Sequence, residues 1–164
     1  MTIEERLDAL EARCRKAEDH LAIQNLIFSY GPLVDSGSAQ EAAALWIAGG
    51  GYNYSGGTAN GTRKQAPEDL VAMYEGEGHM GLVTTGVSHL NAPAVIRVDG
   101  DEATALCYSF VILREGERWF VWRAAVNEFQ CVRTPDGWRI SERLNRTLTG
   151  TEESHALMRK VIGL

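Results

Sequence analysis

Apolar residues recur every three or four positions over the first thirty residues, which is the spacing of one face of an α-helix. Thr2 and Glu5 form the capping box that starts such a helix. The apolar face is narrow up to residue 21 and broader beyond it. We therefore expect residues 1–20 to be a helical extension against another subunit or on the outside of the domain, and the later part to enter the core. The narrow stripe consists of Ile3, Leu7, Leu10, Cys14, Ala17 and Leu21.

Two breaks divide the helical part of the chain. Gly31 and Pro32 predict the end of the first helix, because proline lacks the backbone N–H that a helix uses. A second helix is expected to begin at Ser38 and to run to the glycines at 49–51. Beyond it, GYNYSGG predicts a short strand and turn, and Pro67 is well placed as the first residue of a third helix.

From residue 88 onwards the period of the pattern changes from helical to the alternation of β-strands. Short turns of the sequences DGDE, EGER and TPDG separate the strands, so neighbouring strands should run antiparallel. A last short helix is expected over 151–163. Helices followed by a long meander predict an α+β protein, with helices packed on one face of a curved sheet. The expected strands cover residues 88–98, 103–115, 118–133 and 137–148.

The last strand carries two ionic residues on its apolar face. Strict alternation places Glu142 and Arg146 on the same face as Trp138, and places Arg143 on the opposite, solvated face. Burying a charge is costly unless it is paired or serves a site. Glu142 and Arg146 therefore either pair with each other or line a functional pocket.

Other polar residues also admit two interpretations. Asn127 lies on an apolar strand face, where it could line a pocket or satisfy a neighbouring backbone group. His89 is a lone histidine in a strand, a position more often structural than catalytic. Tyr30 and Asp35 flank the break at Gly31 and Pro32, where Asp35 could simply cap a helix or turn.

Composition narrows the class of protein. The 164 residues suffice for one domain, spanning 1–164, and the net charge of −6 with no basic run argues against nucleic-acid binding. The chain has no stretch of about 20 apolar residues and no apolar leader, so we expect no membrane association and a cytoplasmic location. Its three cysteines and four histidines show no metal-ligand spacing, and nucleotide-binding motifs are absent. Acid–base chemistry without metal or cofactor is what an enzyme of this composition would use.

The order of several motifs resembles a known family. A tyrosine lies five residues before an aspartate, a second helix ends in tryptophan, and SHL, RTPDGWRI and RLNR follow. This order, spread over nearly the whole chain, resembles the SnoaL-like branch of the nuclear transport factor 2-like superfamily. The resemblance implies a cone-shaped, curved antiparallel sheet wrapped by N-terminal helices around an apolar cavity. Bile acid 7α-dehydratase, scytalone dehydratase and hexachlorocyclohexane dehydrochlorinase are cofactor-free enzymes of similar layout.

The resemblance also implies roles for particular residues. His89 would take a proton from carbon, and Asp35 would orient and charge its imidazole. Tyr30 and Tyr54 would position the substrate oxygen or protonate a leaving group, and Arg146 would steady negative charge. The implied activity is a lyase or isomerase reaction on a bulky apolar steroid, polycyclic or aromatic alcohol or ketone. With Asn127 as a further wall residue, these positions form the predicted substrate site.

The sequence departs from the family pattern at two places. The dehydratases carry a second acid–base residue at a position that corresponds here to the neighbourhood of Val111. The steroid isomerases carry an aspartate where this chain has Ala48 and the glycines at 49–51, which excludes their chemistry. The formaldehyde-releasing chemistry of related lyases, which act on lignin-derived aromatic dimers, stays open. The alternative to an enzyme is a non-catalytic ligand-binding protein or a partner resembling a dioxygenase small subunit. A homo-oligomer, dimer or trimer, is expected in either case.

Overall fold

The computed structural model describes residues 1–54 and 62–163, which form helices and strands in an α+β arrangement. The turn expected after Tyr54 lies outside the described residues. Within residues 1–54 and 62–163, no helix combines the length and apolarity that a bilayer crossing requires. The elements are α1 (Ile3–Asp35), α2 (Ala39–Ala43), β1 (Trp46–Tyr54), β2 (Thr62–Gln65), α3 (Glu68–Glu75), α4 (Glu77–Thr85), β3 (Val87–Asn91), β4 (Val95–Asp99), β5 (Glu102–Glu115), β6 (Arg118–Thr134), β7 (Gly137–Thr147) and α5 (Glu152–Arg159), followed by a 3₁₀ turn (Lys160–Gly163).

The strands form one curved sheet in the order β2-β1-β7-β6-β5-β3, and β4 also pairs with β5. The predicted antiparallel meander is confirmed for β4 through β7. Pairing of β1 with β7 is parallel, a long-range contact that no short turn announces. The single strand expected over 88–98 is divided at Pro93, and β3 and β4 pair with successive stretches of β5. The α+β fold class predicted from the sequence is confirmed.

The first helix does not end at Gly31 and Pro32, contrary to the prediction. It continues to Asp35, and the backbone N–H of Ser36 donates to the Pro32 carbonyl at 3.1 Å. Pro32 lies in the last turn, so it removes only one hydrogen bond from the helix. Val34, two residues further on, is fully buried in the core. Tertiary packing therefore outweighs the local helix-breaking preference.

The end of the second helix and two short elements after it also differ from the prediction. The second helix stops at Ala43, and Trp46 already begins β1, which contains the glycines at 49–51. A Cβ on Gly50 would lie 3.0 Å from the carbonyl oxygens of Ile47 and Ser141, so glycine is needed where β1 bends against β7. Strand β2 and helix α4 were not predicted, because Gly78 and Gly81 interrupt the apolar pattern of α4.

The main core lies between the inner face of the sheet and the helices α1 to α3. Ile23, Ile27 and Val34 of α1 pack there with Phe129 and Ile140 of the sheet, all essentially inaccessible to solvent. A smaller cluster on the outer face joins α5 to β5 and β6. Residues 1–18 are exposed in the single chain, and the predicted contact of this extension with another subunit stays a prediction.

A β-bulge in β7 decides which side chains reach the inner face. Gln130 of β6 pairs with Glu142, but the next residue, Cys131, pairs with Ile140, so Ser141 is an extra residue on β7. Side chains after the bulge change faces relative to strict alternation. The inner face therefore carries Ile140, Arg143 and Asn145, rather than Glu142 and Arg146.

The predicted pairing of Glu142 with Arg146 is consequently wrong. Glu142 accepts two hydrogen bonds from the Arg63 guanidinium, at 3.0 and 3.1 Å. Arg146 forms an ion pair with Glu153 of α5 and donates to the side-chain oxygen of Asn53 at 2.9 Å. Both residues serve the packing of neighbouring elements on the outer face.

Asp19 ties α1 to the far end of the sheet. It accepts two hydrogen bonds from Arg133, at 2.8 and 2.9 Å, and one from the Trp138 indole at 3.0 Å. The hydrogen bond from Arg133 is the largest cause that holds the pKa of Asp19 below its ordinary value of 3.8, against the opposing effect of burial.

Replacement of Asp19 by Asn should lower the free energy of unfolding by about 2 kcal/mol at neutral pH, because charge-assisted hydrogen bonds are lost. Since the folded-state pKa lies below the unfolded one, the wild-type advantage is present above pH 3.8 and disappears as the pH falls through the folded-state pKa. Urea denaturation over a pH series measures both effects. Asp8→Asn, an exposed position on the same helix, is the control, and equal losses in the two variants would contradict the assignment.

Candidate active site

Asp35 and His89, 54 residues apart in sequence, meet where the end of α1 crosses β3. The carboxylate oxygen Oδ1 lies 2.6 Å from the imidazole Nδ1, and Oδ2 accepts a hydrogen bond of 2.7 Å from the backbone N–H of His89. An ionised carboxylate only accepts hydrogen bonds, so Nδ1 carries a hydrogen and the neutral imidazole bears its lone pair on Nε2. Asp35 therefore fixes the position, the rotation and the tautomer of His89.

Gly31 makes this meeting sterically possible. A Cβ atom at Gly31 would lie 2.0 Å from the backbone carbonyl oxygen of His89, far inside van der Waals contact. Only a residue without a side chain allows α1 to approach β3 this closely. The glycine that suggested a helix break is instead the point of contact between helix and strand.

A cavity of about 450 Å³ opens beside His89, between the inner face of the sheet and helices α3 and α4. Its volume lies in the range typical of small-ligand pockets. No acidic side chain among the described residues lines it, and residues 55–61 contain none. Arg123 of β6 is the one cationic side chain among the described lining residues. The aromatic and imidazole walls comprise Tyr30, Tyr52, Tyr54, Tyr74, His79, His89 and Trp122.

A much smaller polar niche adjoins this cavity and shares Tyr30, Tyr52, His89 and Arg123 with it. The niche has a volume of about 10 Å³, room for about one water molecule or one substrate oxygen. Its polar lining includes Arg143 and Asn145 of β7, together with Asn91, Ser109 and Arg123. An apolar cavity that ends in a niche of this size suits an apolar molecule with one buried oxygen.

Arg143 is a buried cation that has no acidic partner within residues 1–54 and 62–163. Its side chain is 2% exposed, and its Cζ lies over the rings of Tyr30 at 4.3 Å and Tyr52 at 4.6 Å. Nε donates to the Asn127 Oδ1 at 3.0 Å, whereas Nη1 has no hydrogen-bond partner among the described residues. No described carboxylate forms an ion pair with Arg143. The two aromatic rings offset part of the cost of burying this charge. The guanidinium can therefore still bind an anion or a polarised oxygen.

The buried tyrosines remain neutral hydrogen-bond donors. Burial is the main cause that raises the pKa of Tyr30 to about 12 and that of Tyr74 well above its ordinary value. Proximity of Tyr52 raises both values further, whereas Arg143 acts in the opposite direction. The T-shaped contacts of Tyr30 with Tyr74 and with His89, both at 6.2 Å between ring centroids, hold these side chains together.

Four of the six predicted site residues converge on the cavity, and two do not. Asp35 reaches it through His89, and Tyr30, Tyr54 and His89 line it. Asn127 is fully buried behind the wall, where it donates to the Ser109 hydroxyl at 2.7 Å and accepts from Arg143 and Asn145.

The position predicted for Arg146 is wrong, because the bulge at Ser141 turns its side chain to the outer face. Arg143 occupies the inner position instead. His79 was also missed, since α4 was not predicted, and Tyr74 of α3 was not among the predicted site residues. Val111 pairs with His89 across β3 and β5 and is buried, so an apolar side chain does occupy the neighbourhood of the second acid–base position.

Over residues 1–54 and 62–163, no cluster of three His, Cys, Asp or Glu side chains could hold a metal ion.

Comparison with known protein families agrees with this architecture. A family model described as a SnoaL-like domain matches residues 15–144. The chain belongs to the SnoaL-like domain family. SnoaL-like domains bind small ligands. The resemblance inferred from the motif order is thereby confirmed.

Solved structures place the SnoaL-like chain in the NTF2-like fold. An NTF2-like protein with a cystatin-like fold from Novosphingobium aromaticivorans is 36% identical over 93% of this chain and 96% of that one, with a TM-score of 0.87. A Catenulispora acidiphila protein in complex with S-DNPA is 16% identical over 80% and 94% of the two chains, with a TM-score of 0.68. A candidate aromatic ring hydroxylase from N. aromaticivorans is 18% identical over 81% and 91%, with a TM-score of 0.62. A search of curated proteins finds no match.

Replacement of Gly31 by Ala tests the close contact in this SnoaL-like domain. Although Ala is the better helix former, overpacking against the His89 carbonyl should lower the free energy of unfolding by about 1–3 kcal/mol. Chemical denaturation measures the change. Gly81→Ala is the matched control, because a Cβ there meets nothing within 4 Å and should stabilise α4 by up to about 1 kcal/mol. Equal behaviour of the two variants would refute the steric account.

Proposed function

We propose that this protein is a cofactor-independent acid–base lyase or isomerase. Its substrate is a bulky apolar steroid, polycyclic or aromatic alcohol or ketone, bound in the cavity. The observation that carries the proposal is the 2.6 Å contact between Asp35 and His89 at the wall of a cavity of about 450 Å³. A carboxylate-oriented imidazole facing an apolar pocket is suited to removing a proton from carbon.

In this mechanism His89 is the general base. Its Nε2 takes the proton from a carbon next to the substrate carbonyl, while Nδ1–H stays bonded to Asp35. The carboxylate stabilises the imidazolium that forms and prevents the ring from turning or changing tautomer. The bond from Oδ2 to the backbone N–H of His89 holds the same carboxylate to the strand, so little reorganisation is needed during reaction.

Negative charge that develops on the substrate oxygen is stabilised in the niche. Arg143 supplies a buried positive charge with a free Nη1, and Tyr30 and Tyr52 supply the surrounding rings and hydroxyl groups. Such preorganised groups act strongly because water is excluded from the site. Arg143 thus takes the role that the sequence assigned to Arg146, and Asn127 positions the Arg143 guanidinium.

The elimination of 5-nitrobenzisoxazole is a direct probe of the base, because it needs only removal of a proton from carbon. The proton passes to Nε2, the ring N–O bond breaks, and the coloured 2-cyano-4-nitrophenolate is released. His89→Ala and Asp35→Asn should each lower kcat/KM by roughly 10²- to 10⁴-fold, the usual contribution of general acid–base catalysis.

The control for these variants is Asp99→Asn, an exposed carboxylate at the end of β4, which should keep the wild-type rate. Thermal unfolding checks that each variant retains its fold. A wild-type rate in His89→Ala or in Asp35→Asn would refute the proposed dyad.

Replacement of Arg143 or of Arg146 distinguishes the inner from the outer position on β7. Arg143→Met should lower kcat for the same elimination by roughly 10²- to 10³-fold, because charge on the departing oxygen loses its stabilisation. Arg146→Met removes the outer-face ion pair with Glu153 and the hydrogen bond to Asn53, and it should change stability rather than turnover. The reverse pattern in steady-state kinetics would restore Arg146 as the substrate-facing residue.

Ligand binding without turnover is the second candidate function, favoured by the apolar Val111 opposite His89. A protein of this kind would be a carrier or a non-catalytic partner of a larger enzyme. In that case 2-acetylnaphthalene should raise the melting temperature of the wild type and of His89→Ala equally, and neither protein should accelerate the elimination.

A further inference from the structure

His79 is a second imidazole at the cavity, and the dyad mechanism does not use it. It lies on α4, and its ring centroid is 5.6 Å from that of His89 and 5.8 Å from that of Tyr74. Both histidines line the same cavity of about 450 Å³. Two imidazoles at this separation can contact neighbouring atoms of one bound molecule.

The hydrogen bonds of His79 fix its tautomer. Its Nε2 lies 2.9 Å from the backbone carbonyl oxygen of Val34, the residue before Asp35 on α1. A carbonyl oxygen only accepts, so Nε2 carries a hydrogen and Nδ1 is the nitrogen left for other partners. No hydrogen bond to Nδ1 forms within residues 1–54 and 62–163. His89 has the opposite arrangement, with Nδ1 bonded to Asp35 and Nε2 left for a ligand.

We infer that His79 is the second proton-transfer residue of this site, acting through Nδ1 on the oxygen that leaves the substrate. The inference rests on the proposed function. The contacts of His79 put an acid–base group on the cavity wall from α4, whereas the neighbourhood opposite His89 on β5 is occupied by Val111. The substrate class that needs such a pair is a β-hydroxy carbonyl compound.

The reaction balances with these two residues. The proton on the carbon beside the carbonyl passes to Nε2 of His89, and its electron pair forms the new carbon–carbon double bond. The C–O bond to the hydroxyl group breaks, and that oxygen takes the Nδ1 proton of protonated His79 and departs as water. His89 then holds the extra proton that His79 has lost, and exchange with solvent restores the starting state.

The test compares two substrates that yield the same enone, 4-hydroxy-4-(4-nitrophenyl)butan-2-one and its acetate ester. The alcohol loses hydroxide, which needs a proton, whereas the ester loses acetate, which does not. His79→Gln should lower kcat/KM for the alcohol by about 10²-fold and for the acetate by less than about threefold. His89→Ala should slow both reactions, and absorbance of the enone reports each rate.

Glutamine is the informative replacement, because its side-chain amide can still donate to the Val34 carbonyl while Nδ1 is removed. If His79 only anchors α4 to α1, His79→Gln keeps the wild-type rate on both substrates, which would overturn the inference. An equal loss on both substrates would overturn it as well. Wild-type protein that converts neither compound faster than buffer, or His89→Ala with wild-type rates on both, would instead refute the proposed function.

Discussion

The site depends on one contact, the approach of the last turn of α1 to β3. Gly31 lets the helix lie against the carbonyl of His89, and Asp35, one turn further on, reaches both the backbone N–H and the ring of that histidine. The same turn presents the Val34 carbonyl to His79. One helix end therefore sets the orientation of two imidazoles, so small displacements of α1 act on both together. This dependence explains why α1 stays helical through Pro32.

The electrostatics of the cavity follow from the charge of Arg143, which forms no ion pair with an acidic side chain among the described residues. Burial would lower the pKa of Arg143, but the surrounding tyrosines, Tyr52 first, keep that pKa above its usual value, and the guanidinium stays charged. Burying a cation costs free energy, which the rings of Tyr30, Tyr52 and Phe129 and the hydrogen bond to Asn127 offset in part. A more stable protein would place an acidic or apolar residue here. The presence of the Arg143 cation beside a niche with room for about one oxygen atom therefore argues that Arg143 has a functional role.

Sequence patterns predicted the elements whose burial repeats regularly. The helical period of α1, the antiparallel meander and the closing helix α5 were recoverable, because each has one continuous apolar face and recognisable turns. Asp35 and His89 could be paired only through the family resemblance, since nothing in local periodicity relates residues 54 positions apart. The helix α4, and His79 with it, escaped prediction because its glycines weaken the apolar period.

The error at β7 has a more specific cause. Alternation along a strand holds only while every residue pairs, and the extra residue at Ser141 inverts the faces beyond it. The buried residues that contact the inward-facing Arg143 lie on other strands, such as Asn127 on β6 and Tyr52 on β1. The bulge is therefore encoded by tertiary contacts rather than by the sequence of β7 itself. Strict alternation therefore predicted Arg146 on the inner face, whereas the register of the sheet places Arg143 there. A bulge that carries a cation into an apolar interior is typical of strands that border a site, where the side chain's direction matters more than regular pairing.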